Sequence, residues 1–277
     1  MPALKRTLNK ICPTRFRKSG YEVVKACRVI RYKSEMLLNP KKMTFYCPCC
    51  GNRFRSFNGW DYKEHHERFN SSRYEGIRQD VLCPICRALP RHRILALWCE
   101  KHIAELKGAS ILYFAPENSM MLWMKRNGIS CTTADLLSNG ADLKLDIQNT
   151  GLEADSYDAV IANHVLEHVD DFRVALREMH RILKPHGFFI CSFPMDMKVD
   201  LLDEEMEPLS EAERIKRFGQ NDHKRVFGIK ANMLLTEAGF DVEIIDGSDY
   251  PEDILPVIGP ADYDMNRLFC CRKGAEM

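Results

Sequence analysis

No stretch of this sequence reaches the roughly 18 apolar residues that a membrane-spanning helix needs. The N-terminal segment also lacks the continuous apolar run of a secretory signal, so we expect a cytoplasmic protein. Net charge is nearly absent, because 40 Lys and Arg residues face 39 Asp and Glu residues. This balance gives no support to general binding of polyanions.

The charge is distributed unevenly along the chain. Residues 1–42 contain twelve basic side chains against only Glu22 and Glu35. This composition is typical of a solvated arm or helical face, and it also occurs in segments that contact nucleic acid or a membrane surface. We treat residues 1–42 as a basic N-terminal segment and keep nucleic acid as a less favoured partner.

Cysteine, in contrast, is abundant, with 12 residues in a chain of 277. Four of the cysteines form two Cys-x-x-Cys pairs. Five others lie in apolar helix-like or strand-like patterns: Cys99, Cys131, Cys191, Cys270 and Cys271. This distribution indicates buried thiols and a metal site in a reducing compartment, not the disulfide framework of a secreted protein.

The two Cys-x-x-Cys pairs predict a structural zinc site. Both read Cys-Pro-x-Cys, and they join Cys47 with Cys50 and Cys83 with Cys86. A tight turn places two thiolates on one side of the chain, and two such turns complete a tetrahedral Zn²⁺ shell without an open catalytic position. We therefore expect residues 43–90 to form a small zinc-ribbon-like module.

The spacing of the two pairs leaves alternatives to this ligand set. The 32 residues between Cys50 and Cys83 exceed the usual ribbon spacing of about 15–20. Cys49, His65 or His66 is an alternative ligand, and metal-free or redox-active thiol pairs are an alternative to zinc.

From Pro90 onward the hydrophobic pattern alternates between strands and helices. Strand patterns cover 110–114, 130–134, 143–146, 157–162, 187–193, 240–246 and 266–272. Helical patterns cover 95–106, 118–127, 171–183 and 229–238, and a polar, acidic insertion lies near 196–212. The alternation predicts an α/β fold, a doubly wound and mostly parallel seven-stranded sheet with helices on both faces. Ligands of such sheets bind beyond the carboxyl ends of the strands.

The turn after the first of these strands lacks glycine. Residues 114–117 read Phe-Ala-Pro-Glu. Dinucleotide-binding enzymes place glycines in this turn, because glycine allows positive φ and close approach of the backbone to the ligand. The turn is therefore either a cofactor turn built without glycine or a turn whose cofactor has been lost.

The segment 157–194 resembles the fourth strand, the following helix and the fifth strand of class I S-adenosylmethionine-dependent methyltransferases. The specific parts are Asn-His-Val-Leu-Glu-His-Val at 163–169 and Leu-Lys-Pro-His-Gly at 183–187. The resemblance covers about residues 108–272, and we assign 91–277 to this domain. Together with the cysteine pairs, the motifs PRHR, FAPE and FGQNDHKRVFG are similar to a bacterial subgroup often associated with glycan or cell-surface biosynthesis.

The resemblance implies a Rossmann-like methyltransferase fold with S-adenosylmethionine as cofactor. It places these residues against the cofactor: Phe114, Ala115, Pro116, Glu117, Asp135, Leu136, Asp146, Ile147, Asn163 and His164. Asp135 would accept from the ribose hydroxyls, Asp146 and Ile147 would flank the adenine, and Glu117 would pair with the ammonium group. A turn cap for Asp135 and a surface turn at Asp146 are the alternatives. Because S-adenosylmethionine has no pyrophosphate, we favour a cofactor turn built without glycine.

Two histidines are candidates for a general base, which helps if the methyl acceptor is a hydroxyl. They are His168 and His223, and His223 lies in FGQNDHKRVFG, residues 218–228, where the family often has a substrate lid. In this segment the predicted substrate ligands are Gln220, Asp222 and Arg225. The alternatives are an ordinary helix residue for His168 and a hydrogen-bonding structural role for His223.

The sequence thus predicts an S-adenosylmethionine-dependent methyltransferase with a structural zinc module. The family association alone favours a glycan or sugar-derived acceptor. One alternative keeps the methyltransferase and gives it protein or RNA as acceptor. Another is a non-catalytic zinc-binding module attached to a methyltransferase shell without cofactor.

Overall fold

The structure is a computed structural model that describes residues 30, 34, 37–38, 44–60, 78–137, 140–251, 253–254, 263–264 and 267–274. Most of the basic segment 1–42 lies outside these residues. The alternative zinc ligands His65 and His66 also lie outside them.

The described residues form fourteen strands and six α-helices. The strands are β1 (Phe45–Cys47), β2 (Asn52–Phe54), β3 (Asn58–Trp60), β4 (Arg78–Leu82), β5 (Ile111–Phe114), β6 (Thr132–Ala134), β7 (Tyr157–Asn163), β8 (Leu183–Ser192), β9 (Met195–Asp196), β10 (Leu202–Glu204), β11 (Arg225–Phe227), β12 (Phe240–Asp246), β13 (Tyr263–Asp264) and β14 (Arg267–Lys273). The helices are α1 (Pro90–Lys101), α2 (Ile103–Leu106), α3 (Asn118–Asn127), α4 (Phe172–Ile182), α5 (Glu211–Phe218) and α6 (Asn232–Glu237).

The central sheet has the strand order β12-β14-β8-β7-β5-β6. Strands β6, β5, β7 and β8 run parallel to one another. Strand β14 is antiparallel to both β8 and β12, so it is the reversed strand of this sheet. The predicted α/β architecture with a mostly parallel sheet is confirmed.

The predicted strand at 143–146 is wrong, and the described part of the sheet has six strands instead of seven. Leu143 forms one isolated parallel bridge with Ala134. Next to this bridge the carboxylate of Asp142 accepts hydrogen bonds from the Thr133 backbone N–H at 2.9 Å and the Thr133 hydroxyl at 2.7 Å. This contact lies on the N-terminal side of the bridge. After the bridge the described chain turns away, because Asp146 bridges Asn149 in a local turn.

Helices cover both faces of the sheet, as the alternating side chains of β5 show. Ile111 and Tyr113 belong to a core with Trp98 of α1 and Trp123 of α3, and this core also contains the cysteine turns. Leu112 lies on the other face, in a core with residues of α4 and α6. This arrangement follows from the opposite orientation of successive side chains in a strand. Among the described residues, no helix has both the length and the apolar character needed to cross a membrane.

The polar insertion predicted near 196–212 is folded. It contributes to a second sheet with the strand order β10-β11-β9-β13 and to helix α5. This helix begins at a capping box, in which the Ser210 hydroxyl accepts from the Glu213 backbone N–H and the Glu213 carboxylate accepts from the Ser210 backbone N–H. The Ser-x-x-Glu pattern is visible in the sequence and is a known helix start signal.

Candidate functional site

The turn after β5 has the conformation that glycine normally provides. Ala115 has a φ of 46°, and its backbone N–H donates to the Ala134 carbonyl at 2.8 Å. A residue with a Cβ in this left-handed region costs about 1–2 kcal/mol, so the surrounding contacts must hold the turn in place. Ala115 is exposed, which leaves the turn accessible at the carboxyl edge of the sheet.

Glu117 follows Ala115 by two residues, and its carboxylate lies between two hydrogen-bond donors. The Tyr113 hydroxyl donates to its Oε2, and the Nε2 of His92 lies 3.3 Å from its Oε1. Burial alone would raise the pKa of Glu117, but His92, the charge of Arg91 and the Tyr113 hydroxyl together hold it below its usual range. The carboxylate is therefore ionised at neutral pH.

Helix α1 supplies His92 and Arg91 to the same place. The Nδ1 of His92 accepts from the Leu89 backbone N–H at 3.1 Å, so the proton of the neutral ring lies on Nε2 and faces Glu117. Burial lowers the pKa of His92 and favours this neutral ring. The Nε of Arg91 is buried without a hydrogen-bond partner. Both residues belong to the PRHR motif, whose sequence alone does not indicate a role for either side chain.

The two aspartates predicted to face the cofactor both close turns. Asp135 accepts from the Leu137 backbone N–H at 2.8 Å, and Asp146 accepts from the Gln148 backbone N–H at 2.8 Å. The structure thus contains both alternatives, the turn cap at Asp135 and the turn at Asp146. Ile147 is 4% exposed and packs in the core, so it offers little surface to an adenine ring. The cofactor roles of these residues stay predictions.

The end of β7 presents two unpaired polar atoms. Asn163 is buried, its Oδ1 accepts from the Ser192 hydroxyl at 2.9 Å, and its Nδ2 has no hydrogen-bond partner. His164 has a φ of 53°, and its Nε2 is also buried without a partner. Its Nδ1 lies 3.1 Å from Oε1 of Glu167, a residue with no exposed surface. The sequence pattern around Glu167 does not indicate this burial.

The two predicted catalytic histidines lie side by side next to Glu167. The rings of His168 and His223 are 4.7 Å apart between centroids and meet edge to face. The Nδ1 of His168 lies 3.3 Å from a carboxylate oxygen of Asp222. Burial lowers the pKa of His168, but Asp222 and Glu167 outweigh burial and raise it. His223 is buried, and its Nδ1 lies 3.2 Å from the Phe218 carbonyl, which fits the alternative structural role.

Arg225, predicted to bind substrate, is buried with its guanidinium directed at protein acceptors. The side chain is 1% exposed and donates to the Glu204 carboxylate at 2.7 Å. It also donates to the backbone carbonyls of Leu166, Val169 and Asp170 at 2.7–2.8 Å. These bonds tie β11 to the connection between β7 and α4. The substrate role of Arg225 stays a prediction that this burial does not favour.

The rest of the predicted lid is closer to solvent. Asp222 has a side chain that is 61% exposed, although it is engaged with His168. Gln220 is half-buried. The neighbouring Lys224 pairs with Asp170. The substrate roles of Gln220 and Asp222 stay predictions.

The four cysteines of the predicted zinc site are brought together. Their sulfurs all lie within 4.8 Å of one another, with 3.7 Å between Cys47 and Cys86 and 3.8 Å between Cys50 and Cys83. A tetrahedral zinc with bonds of about 2.3 Å separates its sulfurs by about 3.8 Å, whereas a disulfide requires about 2.05 Å. The donor set thus fits zinc. The fifth thiol, Cys49, points to the His92 carbonyl at 3.4 Å.

Helix α3 buttresses the first cysteine turn. The Arg126 guanidinium donates to the carbonyls of Pro48 and Cys49 at 3.1 and 3.2 Å. Gly51 has a φ of 68°, and a Cβ at this position would lie 2.1 Å from the Arg126 guanidinium. The left-handed backbone conformation therefore favours glycine here, and a larger residue would also displace the Arg126 guanidinium from this turn.

We expect Cys83→Ser to abolish stoichiometric zinc binding and to lower the melting temperature, because metal binding in such sites is coupled to folding. Cys49→Ser is the matched control, since this thiol lies in the same turn but outside the four-sulfur cluster, and it should retain one zinc per chain. Elemental analysis and thermal denaturation of both variants measure the two effects. Equal zinc content in the wild type and Cys83→Ser would show that the cluster does not bind the metal.

Part of the chain is similar to known proteins. Residues 117–191 match a family described as a methyltransferase domain. Over 46 residues the chain is 44% identical to a demethylmenaquinone methyltransferase of Staphylococcus haemolyticus (strain JCSC1435), covering 17% of this chain and 19% of that protein. Over 51 residues it is 33% identical to the reducing polyketide synthase Preu2 of Preussia isomera, covering 18% of this chain and 2% of that protein. The chain thus spans less than a fifth of either curated relative.

Solved structures resemble the same part of the fold. An S-adenosylmethionine-dependent methyltransferase from Mesorhizobium loti aligns with a TM-score of 0.45 and 16% identity, covering 65% of this chain and 98% of that chain. Residues 117–191 are thus similar to a methyltransferase domain, in line with the corresponding prediction from the sequence.

Proposed function

We infer that this chain is an S-adenosylmethionine-dependent methyltransferase, and we propose a sugar-type hydroxyl as its acceptor. The observation that carries the proposal is the polar cluster at the carboxyl edge of β5 and β7. There, Arg91 and Asn163 have unpaired donors, His164 has an unpaired ring nitrogen, and Glu117 is ionised near the exposed turn at Ala115. Ligands of doubly wound sheets bind at this edge.

The charges of this cluster complement the amino-acid part of S-adenosylmethionine. Arg91 would hold the carboxylate of the cofactor, because its buried Nε needs an acceptor. Glu117 would accept from the ammonium group, as it already accepts from Tyr113. Asn163 offers its unpaired Nδ2 as a further donor. When bound, the cofactor supplies a methyl group activated by the adjacent sulfonium.

The other residues that we assign to the cofactor lie at or after the carboxyl ends of β5 and β6. Asp135 would receive the ribose hydroxyls with its carboxylate, at the end of β6, and Asp146 and Ile147 would lie near the adenine. Phe114, Pro116 and Leu136 would complete the walls. Leu136 is 50% exposed, which leaves it available to a ligand at this edge.

A hydroxyl acceptor needs a proton acceptor, and His164 is the best-placed candidate. Its Nε2 lone pair is buried without a partner at the end of β7, while its Nδ1 faces Glu167 at 3.1 Å. Burial lowers the pKa of His164, and the charge of Arg91 lowers it further, so the ring is neutral at pH 7. A neutral imidazole backed by a carboxylate can accept the proton that the hydroxyl loses. We therefore place the base at His164 in preference to His168 or His223.

The sugar-type acceptor rests on two supports. The first is the provision of a base, which a hydroxyl requires more than a stronger nucleophile does. The second is the resemblance to the bacterial subgroup associated with glycan biosynthesis. A protein or RNA acceptor and the non-catalytic shell remain the alternatives.

Calorimetric titration with S-adenosylmethionine tests the function. We expect Asp135→Ala to weaken binding by about 1–3 kcal/mol, because charge-assisted hydrogen bonds to the ribose are lost. Asp241→Ala, at an exposed position of β12, is the control and should bind as the wild type does. Asp135→Ala also removes the hydrogen bond from the Leu137 backbone N–H to Asp135. Melting curves of both variants therefore show whether weaker binding is accompanied by a loss of stability.

The same preparation with methyl-labelled cofactor and a fractionated cell extract identifies the acceptor class. We expect the label in the glycan and sugar-nucleotide fractions. Label in protein or RNA would favour the alternative acceptors. A wild-type protein that binds no cofactor would favour the non-catalytic shell.

A further inference from the structure

Glu167 is a buried carboxylate whose two oxygens face no hydrogen bond of proper geometry. It has no exposed surface, and the Nδ1 of His164 lies within ion-pair distance of its Oε1, at 3.1 Å. Burial of an ionised group costs several kcal/mol unless cations or donors compensate for it. A cation in contact with the carboxylate would offset this cost.

Two histidines place nitrogen ligands next to this carboxylate. One ligand atom each from Glu167, His168 and His223 lies within 4.8 Å of the others. The His168 Nε2 is 4.0 Å from Glu167 Oε1. Ligands of a metal with bonds of about 2.1 Å are separated by about 3–3.5 Å. A change of at most about 1–2 Å in these separations would thus bring the three ligands into coordination distance.

The opposite nitrogens of both rings are already held by oxygen atoms. His168 Nδ1 lies 3.3 Å from an Asp222 carboxylate oxygen, and His223 Nδ1 lies 3.2 Å from the Phe218 carbonyl. Metal-bound histidines almost always donate their other ring N–H to a carboxylate or a backbone carbonyl, which fixes the tautomer and the ring orientation. The arrangement directs Nε2 of each ring to serve as the metal ligand.

We propose that Glu167, His168 and His223 bind a divalent transition-metal cation. Two imidazoles and one carboxylate suit zinc, iron, cobalt or nickel better than magnesium or calcium, which prefer oxygen ligands alone. The cation would compensate the buried charge of Glu167. It would also link the connection after β7 to the segment between α5 and β11, which holds His223. His168, with a side chain that is 34% exposed, gives the cation access from solvent.

Cobalt(II) titration tests this site separately from the cysteine cluster. The protein is first loaded with one equivalent of zinc, which fills the four-sulfur site, and Co²⁺ is then added while visible d–d absorption and cobalt content are measured. We expect one equivalent of Co²⁺ per wild-type chain and no stoichiometric uptake by Glu167→Gln. Asp222→Asn should bind Co²⁺ about 10–100-fold more weakly, as expected for loss of an orienting carboxylate. His186→Asn, at an exposed position of β8, should bind as the wild type does.

Either of two results would overturn the proposal. One is a zinc-loaded wild type that takes up no Co²⁺, and the other is uptake that Glu167→Gln and Asp222→Asn leave unchanged. If Glu167→Gln does not fold, Asp222→Asn decides, because this side chain is 61% exposed. S-adenosylmethionine affinity in the same samples is an independent readout. Cobalt uptake without cofactor binding would support the metal site and contradict the methyltransferase function.

Discussion

Replacement of Arg225 by methionine is expected to lower the free energy of unfolding by about 3–5 kcal/mol, the cost of removing one partner from a buried ion pair. The side chain is 1% exposed and donates to the Glu204 carboxylate and to three backbone carbonyls. Methionine has a similar length but no donor, so these buried acceptors lose their partner. Urea denaturation followed by circular dichroism measures the change.

Arg173→Met is a closely matched control for this variant. Arg173 pairs with the same carboxylate, from its guanidinium to Glu204 Oε2 at 3.0 Å, and it also lies over the same aromatic ring, that of Phe172. Its side chain is 47% exposed, and exposed ion pairs contribute about 0–1 kcal/mol. We therefore expect a change below about 1 kcal/mol. Similar losses in the two variants would show that burial of Arg225 does not determine its contribution.

The largest expected effect on catalysis belongs to His164. His164→Asn should lower kcat by about 10²–10⁴-fold, the usual cost of losing a general base, while the affinity for S-adenosylmethionine changes much less. Asparagine is chosen because His164 has a φ of 53°, and asparagine tolerates this left-handed conformation better than most residues. Turnover with a labelled cofactor and binding by calorimetry are measured on the same preparation.

His186→Asn controls for the backbone at the opposite edge of the sheet. His186 also has a positive φ, 64°, but it is exposed near the start of β8, so kcat should not change. In the wild type, burial and Arg91 lower the pKa of His164. Turnover should therefore be independent of pH around neutrality and fall on the acid side, where the ring becomes protonated. A His164→Asn variant with the turnover of the control would remove His164 from the mechanism.

The strands and helices that carry the candidate site could be predicted from hydrophobic periodicity. The helix predicted at 118–127 has these bounds in the structure, and the strand predicted at 157–162 spans Tyr157–Asn163. Periodicity fails at 143–146, where Leu143 makes one bridge with β6 and Asp146 then accepts from the Gln148 backbone N–H in a local turn. The apolar pattern does not show that this turn ends the pairing so early.

The roles of individual side chains in the site were less predictable, because they depend on how deeply each side chain is buried. Arg225 and Asp222 are both charged residues of one polar segment, and the sequence offers no sign that one is 1% exposed and the other 61%. Glu167 lies between two histidines in the sequence, a position that suggests a surface helix as readily as a buried carboxylate. Its importance depends on contacts with His223, which is distant in the sequence.

The packing of the cysteine turns limits where the chain can be cut without exposing its apolar core. Cys47 and Phe54 share one apolar core with Trp98 of α1 and Tyr113 of β5, and Arg126 holds the first cysteine turn in place. A cut near residue 90, where the sequence predicts a boundary, would therefore expose apolar side chains of α1 that this core buries. A change in the cysteine turns would thus alter the packing on the face of the sheet that α1 and α3 cover.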